Sequence, residues 1–141
     1  MPDTMVTGSW ISFLLHESSA GMAVLIWLVQ LVIYPGFRPI ETTAFPAWHR
    51  SYTGRISWIV IPLMLVQAGA LGWLLATETA TAARVGAAVA VGIAWVTTFA
   101  VSVPIHERLD AAKDLALIER LIATNWIRTV AWTMVPVVLT T

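Results

Sequence analysis

The chain has 141 residues, of which 58% are hydrophobic and 11% charged, with zero net charge and a mean hydropathy of +0.79. A soluble domain carries roughly 25% charged residues, so this composition excludes a fully water-facing surface, and zero net charge removes the electrostatic basis for nucleic-acid binding. No cysteine is present, which excludes disulfides, thiolate metal centres and cysteine nucleophiles.

About 20 apolar residues cross a hydrocarbon core of about 30 Å. Four stretches meet that length: residues 10–34, 56–75, 83–103 and 121–139. The N-terminal MPDTMVTGSW has no basic region before the first apolar run, so that run is expected to be a retained span and not a cleaved signal. The fold class expected is an all-α integral membrane four-helix bundle forming a single domain. Residues 37–51, polar and aromatic, are expected along the membrane surface with Phe45 and Trp48 in the headgroup layer. The short TETATAA turn makes the second and third helices antiparallel neighbours. The third span is rich in small residues (Gly86, Ala87, Ala90, Gly92, Ala94), which suits a central, closely packed helix. The fourth span contains Asn125 and Arg128, which must face protein if it crosses.

Arg38, Arg50, Arg55, Arg108, Lys113, Arg120 and Arg128 fall on one side of this topology, and only Arg84 falls on the other. Basic residues are retained in the cytoplasm, so the N- and C-termini are both expected outside, in a bacterial cytoplasmic membrane. Trp10, Trp48, Trp58 and Trp73 lie near the expected interfaces, where indoles anchor helices.

The polar residues inside the spans are the candidates for chemistry. In the first span His16, Ala20, Ala23, Trp27, Gln30 and Tyr34 recur at helical spacing and share one face. Glu17 lies about 10 Å below the outer boundary, where a carboxylate must be paired, protonated or wet. In the fourth span Leu121, Asn125, Arg128, Trp132 and Pro136 form one face. Arg128 lies about 12 Å inward of Arg120, with Gln30 and Gln67 as candidate acceptors. A guanidinium at that depth suits an anionic group of a ligand. His49, Tyr52, Arg55 and His106 form a candidate cluster at the cytoplasmic end. The three histidines show no HxxxH or HExxH spacing, so no metal site is assigned, although one histidine with an open position would suit haem.

Two family resemblances follow from short motifs. VPIHERL followed by NWIRT resembles the small four-helix membrane family that includes anthrone-oxygenase-like proteins, on Val103, Pro104, Leu109, Asn125, Trp126, Arg128 and Thr129. His106 stands where that pattern has an Asn-like residue, and the order of Trp and Asn differs. The first half, with His16, Tyr52, Arg55 and Pro62, is similar in layout to bacterial membrane protoporphyrinogen oxidase. Both resemblances imply a planar aromatic ligand inside a four-helix membrane bundle, through oxygenation of a polycyclic phenol in the first family and haem near a helix-one histidine in the second.

The function expected is an oxidoreductase-like or ligand-binding membrane protein acting on a planar hydrophobic molecule that is haem-, quinone- or polycyclic-phenol-like. His16, Glu17 and Arg128 would carry the chemistry, and Trp27, Gln30, Tyr34, Gln67, Asn125 and Trp132 would line the pocket. The alternatives are a non-catalytic subunit of a respiratory or photosynthetic membrane complex and a small transporter or channel. The partners expected are the lipid bilayer, a hydrophobic small molecule, and membrane-protein partners or further copies of the chain.

Overall fold

The computed structural model describes the backbone of residues 2–140 and the side chains of residues 7–140. Among these residues the structure is helical and has no strand. Helix α1 (Pro2–Leu28) continues through a π-helical turn (Val29–Ile33) into a short 3-10 turn (Pro35–Phe37). Helix α2 covers Phe45–Thr77. Helix α3 (Ala82–Thr97) passes through a second π-helical turn (Thr98–Ser102) into α4 (Val103–Ala111). Helix α5 covers Leu115–Leu139. The four continuous rods Thr7–Phe37, Phe45–Thr77, Ala82–Ala111 and Leu115–Leu139 are each long and apolar enough to cross a membrane.

The rods extend beyond the apolar stretches because the flanking polar residues are also helical. Thr81 caps α3 by accepting from Arg84 N at 3.2 Å. Asp114 caps α5 by accepting from Ala116 N and Leu117 N at 2.8 and 3.2 Å. The segment expected on the membrane surface divides in two. Residues 38–44 are a connection, whereas Phe45–Ser51 form the first two turns of α2 and bury Phe45 and His49 completely. An aromatic cluster draws this segment inward: Phe45 stacks on His49 at 5.3 Å, and Phe37 packs edge-on to both. The connection is tied down by Lys113, whose Nζ donates to the carbonyls of Arg38 and Ile40, and by Arg38 bonding Glu119 at 2.6 Å. Within it the Thr43 hydroxyl, together with the Thr43 and Ala44 amides, holds the Glu41 carboxyl below its ordinary range.

The central helix is α5. It contacts α1, α3, α4 and both π-helical turns, whereas α3 packs chiefly on α5 through Ala87, Ala90, Val91 and Ala94. The small-residue stripe therefore forms one close interface and does not place its helix in the middle. Gly86 and Gly92 have open space where a side chain would sit. The reason is chemical: α5 holds Asn125, Arg128 and Thr129, and an apolar solvent would leave them unsatisfied. Helices α2 and α3 are joined by a short turn yet touch only sparsely; α2 packs mainly on α1. That leaves a cleft between α2 and the stretch from Thr98 to Asp110.

The bundle sets polar side chains within an apolar core and is apolar outside. Ser19, Gln30, His49, Gln67, Asn125 and Thr129 are buried, while Val24, Val32, Trp58, Val96 and Val130 point outward. Trp10 and Trp73 also face outward. This distribution suits a hydrocarbon surrounding, where lipid would offer no hydrophobic drive between helices and polar side chains would join them. At the end away from the connection described above, Ser19 Oγ accepts from Gln67 Nε2 at 3.1 Å and Gln67 Oε1 accepts from Trp132 Nε1 at 3.1 Å, linking α1, α2 and α5. Gln67→Leu strands both partners in a dry interior. We expect it to destabilise the bundle by about 1–2 kcal/mol, measured as a lower midpoint in an SDS titration of the protein in mild detergent.

Candidate functional site

Both π-helical turns end two residues before a proline: Ile33 before Pro35, and Ser102 before Pro104. A proline has no N–H to donate, and its ring crowds the carbonyl four residues earlier. Those carbonyls belong to Leu31 and Ala100, inside the widened turns. A widened turn relieves the crowding and inserts one residue into the helical phase. Pro62 and Pro136 sit inside α2 and α5 with no such turn. The consequence at the first rod is direct: Tyr34 and Gln30 both reach the buried face, although an unbroken helix would rotate Tyr34 farther from it. The third rod brings Ser102 to the same guanidinium nitrogen that Tyr34 meets, and His106 to the Tyr34 hydroxyl.

These turns flank Arg128, which is 6% exposed. Its Nη1 donates to Ser102 Oγ at 3.1 Å, Asn125 Oδ1 at 3.1 Å and Tyr34 Oη at 3.3 Å. Trp132 lies under the guanidinium at 5.0 Å from the ring centroid, a cation–π contact strengthened by the dry surroundings. Asn125 is held in turn by donating to Gln30 Oε1 at 2.8 Å, and Thr129 donates to the same oxygen. Every acceptor of Arg128 is neutral, and its buried Nε has no partner. A buried charge is tolerated when its hydrogen bonds are met, so this cation retains capacity for one more acceptor.

Arg128 forms part of the wall of a cleft of about 240 Å³. Val29, Ile56, Val60 and Val103 give it apolar sides, Tyr34, Ser102 and His106 give it polar ones, and Glu107 and Asp110 lie toward the basic end of the bundle. Apolar walls with a few convergent polar groups are the usual make-up of a small-molecule site.

A chain of hydrogen bonds runs away from Arg128. Tyr34 Oη meets His106 Nε2 at 3.0 Å, His106 Nδ1 meets His49 Nε2 at 3.0 Å, and His49 Nδ1 meets Asp110 Oδ1 at 2.6 Å. The direction of donation follows from the two ends. A carboxylate only accepts and a guanidinium only donates. Asp110 thus takes the Nδ1–H of His49, which leaves His49 Nε2 to accept from His106 Nδ1–H. His106 Nε2 then accepts from the Tyr34 hydroxyl, whose oxygen accepts from Arg128. Phe37, Phe45 and Tyr52 surround His49. The Asp110 side chain is 34% exposed and is anchored by Arg50, which donates to its backbone carbonyl at 2.6 Å.

The structure brings together Gln30, Tyr34, Asn125, Arg128 and Trp132 around the guanidinium, with His49, Tyr52 and His106 beside them. Other expected site residues lie elsewhere. His16 is on the outward face, with Nδ1 on the Ser12 carbonyl at 2.7 Å, and Glu17 is exposed next to it. Neither shares the cleft, because the buried face of α1 runs through Leu15, Ser19, Met22 and Ile26, turned from the stripe that began at His16. Trp27 packs edge-on to Trp126 and donates to Thr133 on the rim between α1 and α5. Gln67 is occupied by Ser19 and Trp132. Arg55 is exposed and lines a separate groove with Trp48 and Ile59. Ser102 and Asp110 were not anticipated from the sequence. The four-residue spacing of Ser102, His106 and Asp110 is the signal that would have found them, but it lay hidden in the charged run HERLDAAKD.

Haem does not fit the two cleft-end histidines. Both ring nitrogens of His49 and of His106 are already in hydrogen bonds, so neither ring has one left to coordinate iron. Among the described residues no three His, Asp or Glu side chains converge to hold a metal ion. No protein-family model, curated protein or solved structure matches the chain.

The donation order makes a sharp spectroscopic prediction. His49 and His106 should both carry their proton on Nδ1, the less common neutral tautomer. Nitrogen-15 NMR of histidine-labelled protein at neutral pH should show two rings with protonated Nδ1 and bare Nε2. Two Nε2–H rings would contradict the order.

Proposed function

We propose that this chain is an integral membrane protein, oxidoreductase-like or ligand-binding, that takes a lipophilic, planar small molecule through an oxygen-bearing headgroup, quinone- or polycyclic-phenol-like. The observation that carries the reading is Arg128, a buried cation whose bonded acceptors are all neutral, at the wall of an apolar-sided cleft. A carbonyl or phenolate oxygen in the cleft gives the guanidinium a more strongly polar or anionic acceptor. Charge-assisted hydrogen bonds to a guanidinium are the strong ones in a dry site. The apolar sides match a ring system, and the open side of the cleft, between α2 and the stretch from Thr98 to Asp110, lets such a molecule enter from the bilayer without crossing water. The family resemblances point to the same ligand class. A channel reading is less favoured because Gln67, Ser19 and Trp132 bond one another and offer no onward polar path.

The membrane orientation belongs to the same proposal. Arg38, Arg50, Arg55, Arg108, Lys113 and Arg120 occupy the bundle end that holds Asp110, and Arg84 bonds Glu78 at the opposite end at 2.5 Å. By the retention of basic residues inside, the Asp110 end is cytoplasmic and both termini are outside.

Two measurements check these statements. Because the chain has no cysteine, single cysteines at Ala80 and Ala112 report sidedness cleanly. A membrane-impermeant maleimide added outside intact cells should label Ala80→Cys and spare Ala112→Cys. Arg128→Gln should weaken binding of a naphthoquinone probe by roughly 10- to 100-fold, the range expected from losing a charged hydrogen bond, with the helical signal retained. Equal affinity in the two proteins would remove Arg128 from the site.

A further inference from the structure

The cluster at the basic end does more than fill space. Four groups connect the cleft to the bundle end in one unbroken line: Tyr34, His106, His49 and Asp110. Each of the first three is both a donor and an acceptor, so each can pass a proton on while taking another. The line starts at a hydroxyl lining the cleft and stops at a carboxylate partly open to water. Its middle is shielded: His49 is fully buried among Phe37, Phe45 and Tyr52. A purely structural histidine pair needs neither the matched direction of donation nor the exit to solvent.

We infer that Tyr34, His106, His49 and Asp110 form a proton relay that removes the proton of a phenolic ligand hydroxyl bound beside Arg128 and delivers it to the water at the basic end. The proposal rests on the lipophilic-ligand reading above and names its substrate class as weakly acidic lipophilic phenols, hydroquinones among them. The step balances without a redox partner. The ligand O–H bond breaks, and its proton goes to Tyr34 Oη as the Tyr34 proton moves to His106 Nε2. The His106 Nδ1 proton moves to His49 Nε2, and the His49 Nδ1 proton moves to the Asp110 carboxylate. One negative charge appears on the ligand oxygen and one disappears from Asp110, which then yields its proton to water. Arg128, in the wall of the same cleft, becomes the counter-ion of the new phenolate. After the transfer both imidazoles carry their proton on Nε2, and the relay resets once the ligand anion has left and each ring has returned its proton to Nδ1.

Several charged or titratable groups face this line. Arg128 approaches Tyr34 from α5. Tyr52 touches His49, and Arg50 holds the Asp110 carbonyl, both from α2. Glu107 shares the cleft from α4, and Lys113 lies over Phe45 from the α4–α5 connection. The pH profile of release is a property of this set. The comparison of variants, and not the profile alone, is therefore decisive.

The test uses the full chain in lipid nanodiscs in weakly buffered medium with a pH-indicator dye. The probe is 2-naphthol, whose neutral and anionic forms differ in absorption, with 2-methoxynaphthalene as the non-ionisable control. For the unmodified protein we expect 2-naphthol to bind with the anion's absorption and to release about one proton per molecule bound, a full conversion of the bound probe by the relay; the ether should bind and release none. His49→Gln and Asp110→Asn keep polar side chains but cannot carry the proton through. Each should slow release, and the appearance of the anion's absorption with it, at least tenfold. Two variants, one at the fully buried His49 and one at the partly exposed Asp110, guard against one of them failing to fold, and thermal unfolding followed by circular dichroism tells which is intact. Full-rate release in either folded variant overturns the relay while leaving the binding site standing. Binding of the ether together with naphthol that stays neutral in the unmodified protein also overturns the relay. Binding of neither probe overturns the ligand reading and the relay with it.

Discussion

The structure depends on satisfying one buried guanidinium. An arginine at the centre of a membrane helix costs about 2.5–3.5 kcal/mol on insertion scales, and Arg128 is buried deep on α5. Its position requires acceptors from three directions. Tyr34 comes from the first rod, Ser102 from the third, and Asn125 from one turn back on α5 itself. Trp132 supplies a π face. Each of these must itself be held, which draws in Gln30, Thr129 and Gln67. A single charge thus organises polar side chains on all four rods. It makes α5 the centre of the bundle, although α5 is the least apolar of the four by hydropathy.

The two widened turns are the means by which the outer rods meet this demand. An unbroken helix presents a face that drifts, and Tyr34 would stand about 80° round from the buried Ile26 along α1. The proline after each widened turn makes the local change favourable, and the extra residue resets the phase. Polar groups on two rods then converge on Arg128 without loose connections or unpaired backbone inside an apolar layer, where unsatisfied peptide groups are most costly. The site is therefore built on rigid helical elements. Its open side arises where α2 leans on α1 and leaves α3.

The polar interior divides into two parts with different character. Toward one end, the Ser19–Gln67–Trp132 bridge is closed and its hydrogen-bonding capacity is used within the bundle, as befits a joint between helices. Toward the other, the line from Arg128 to Asp110 is directional, with a cation at one end and a carboxylate at the other. Cooperative polarisation along such a chain strengthens its members in a low dielectric. The same chemical groups thus serve as adhesive in one half and as a conduit in the other.

By itself the sequence determined the four apolar rods, the separation of basic residues to one end, and the requirement that Asn125 and Arg128 face protein, because hydropathy and the cost of a charge in hydrocarbon act on the chain locally. Helical spacing placed Gln30 with Tyr34 on one face of α1 and Asn125, Arg128 and Trp132 on one face of α5, but the acceptors expected for Arg128, Gln30 and Gln67, bond Asn125 and Trp132 instead. Tertiary structure alone decided that His16 and Glu17 point outward, that Phe45 and His49 fold into α2, and that Asp110 joins His49 and His106. These outcomes hang on how far each rod is rotated about its axis. That rotation was set by the widened turns before Pro35 and Pro104 and by which neighbour each helix packs against, and neither is written in the spacing of one helix.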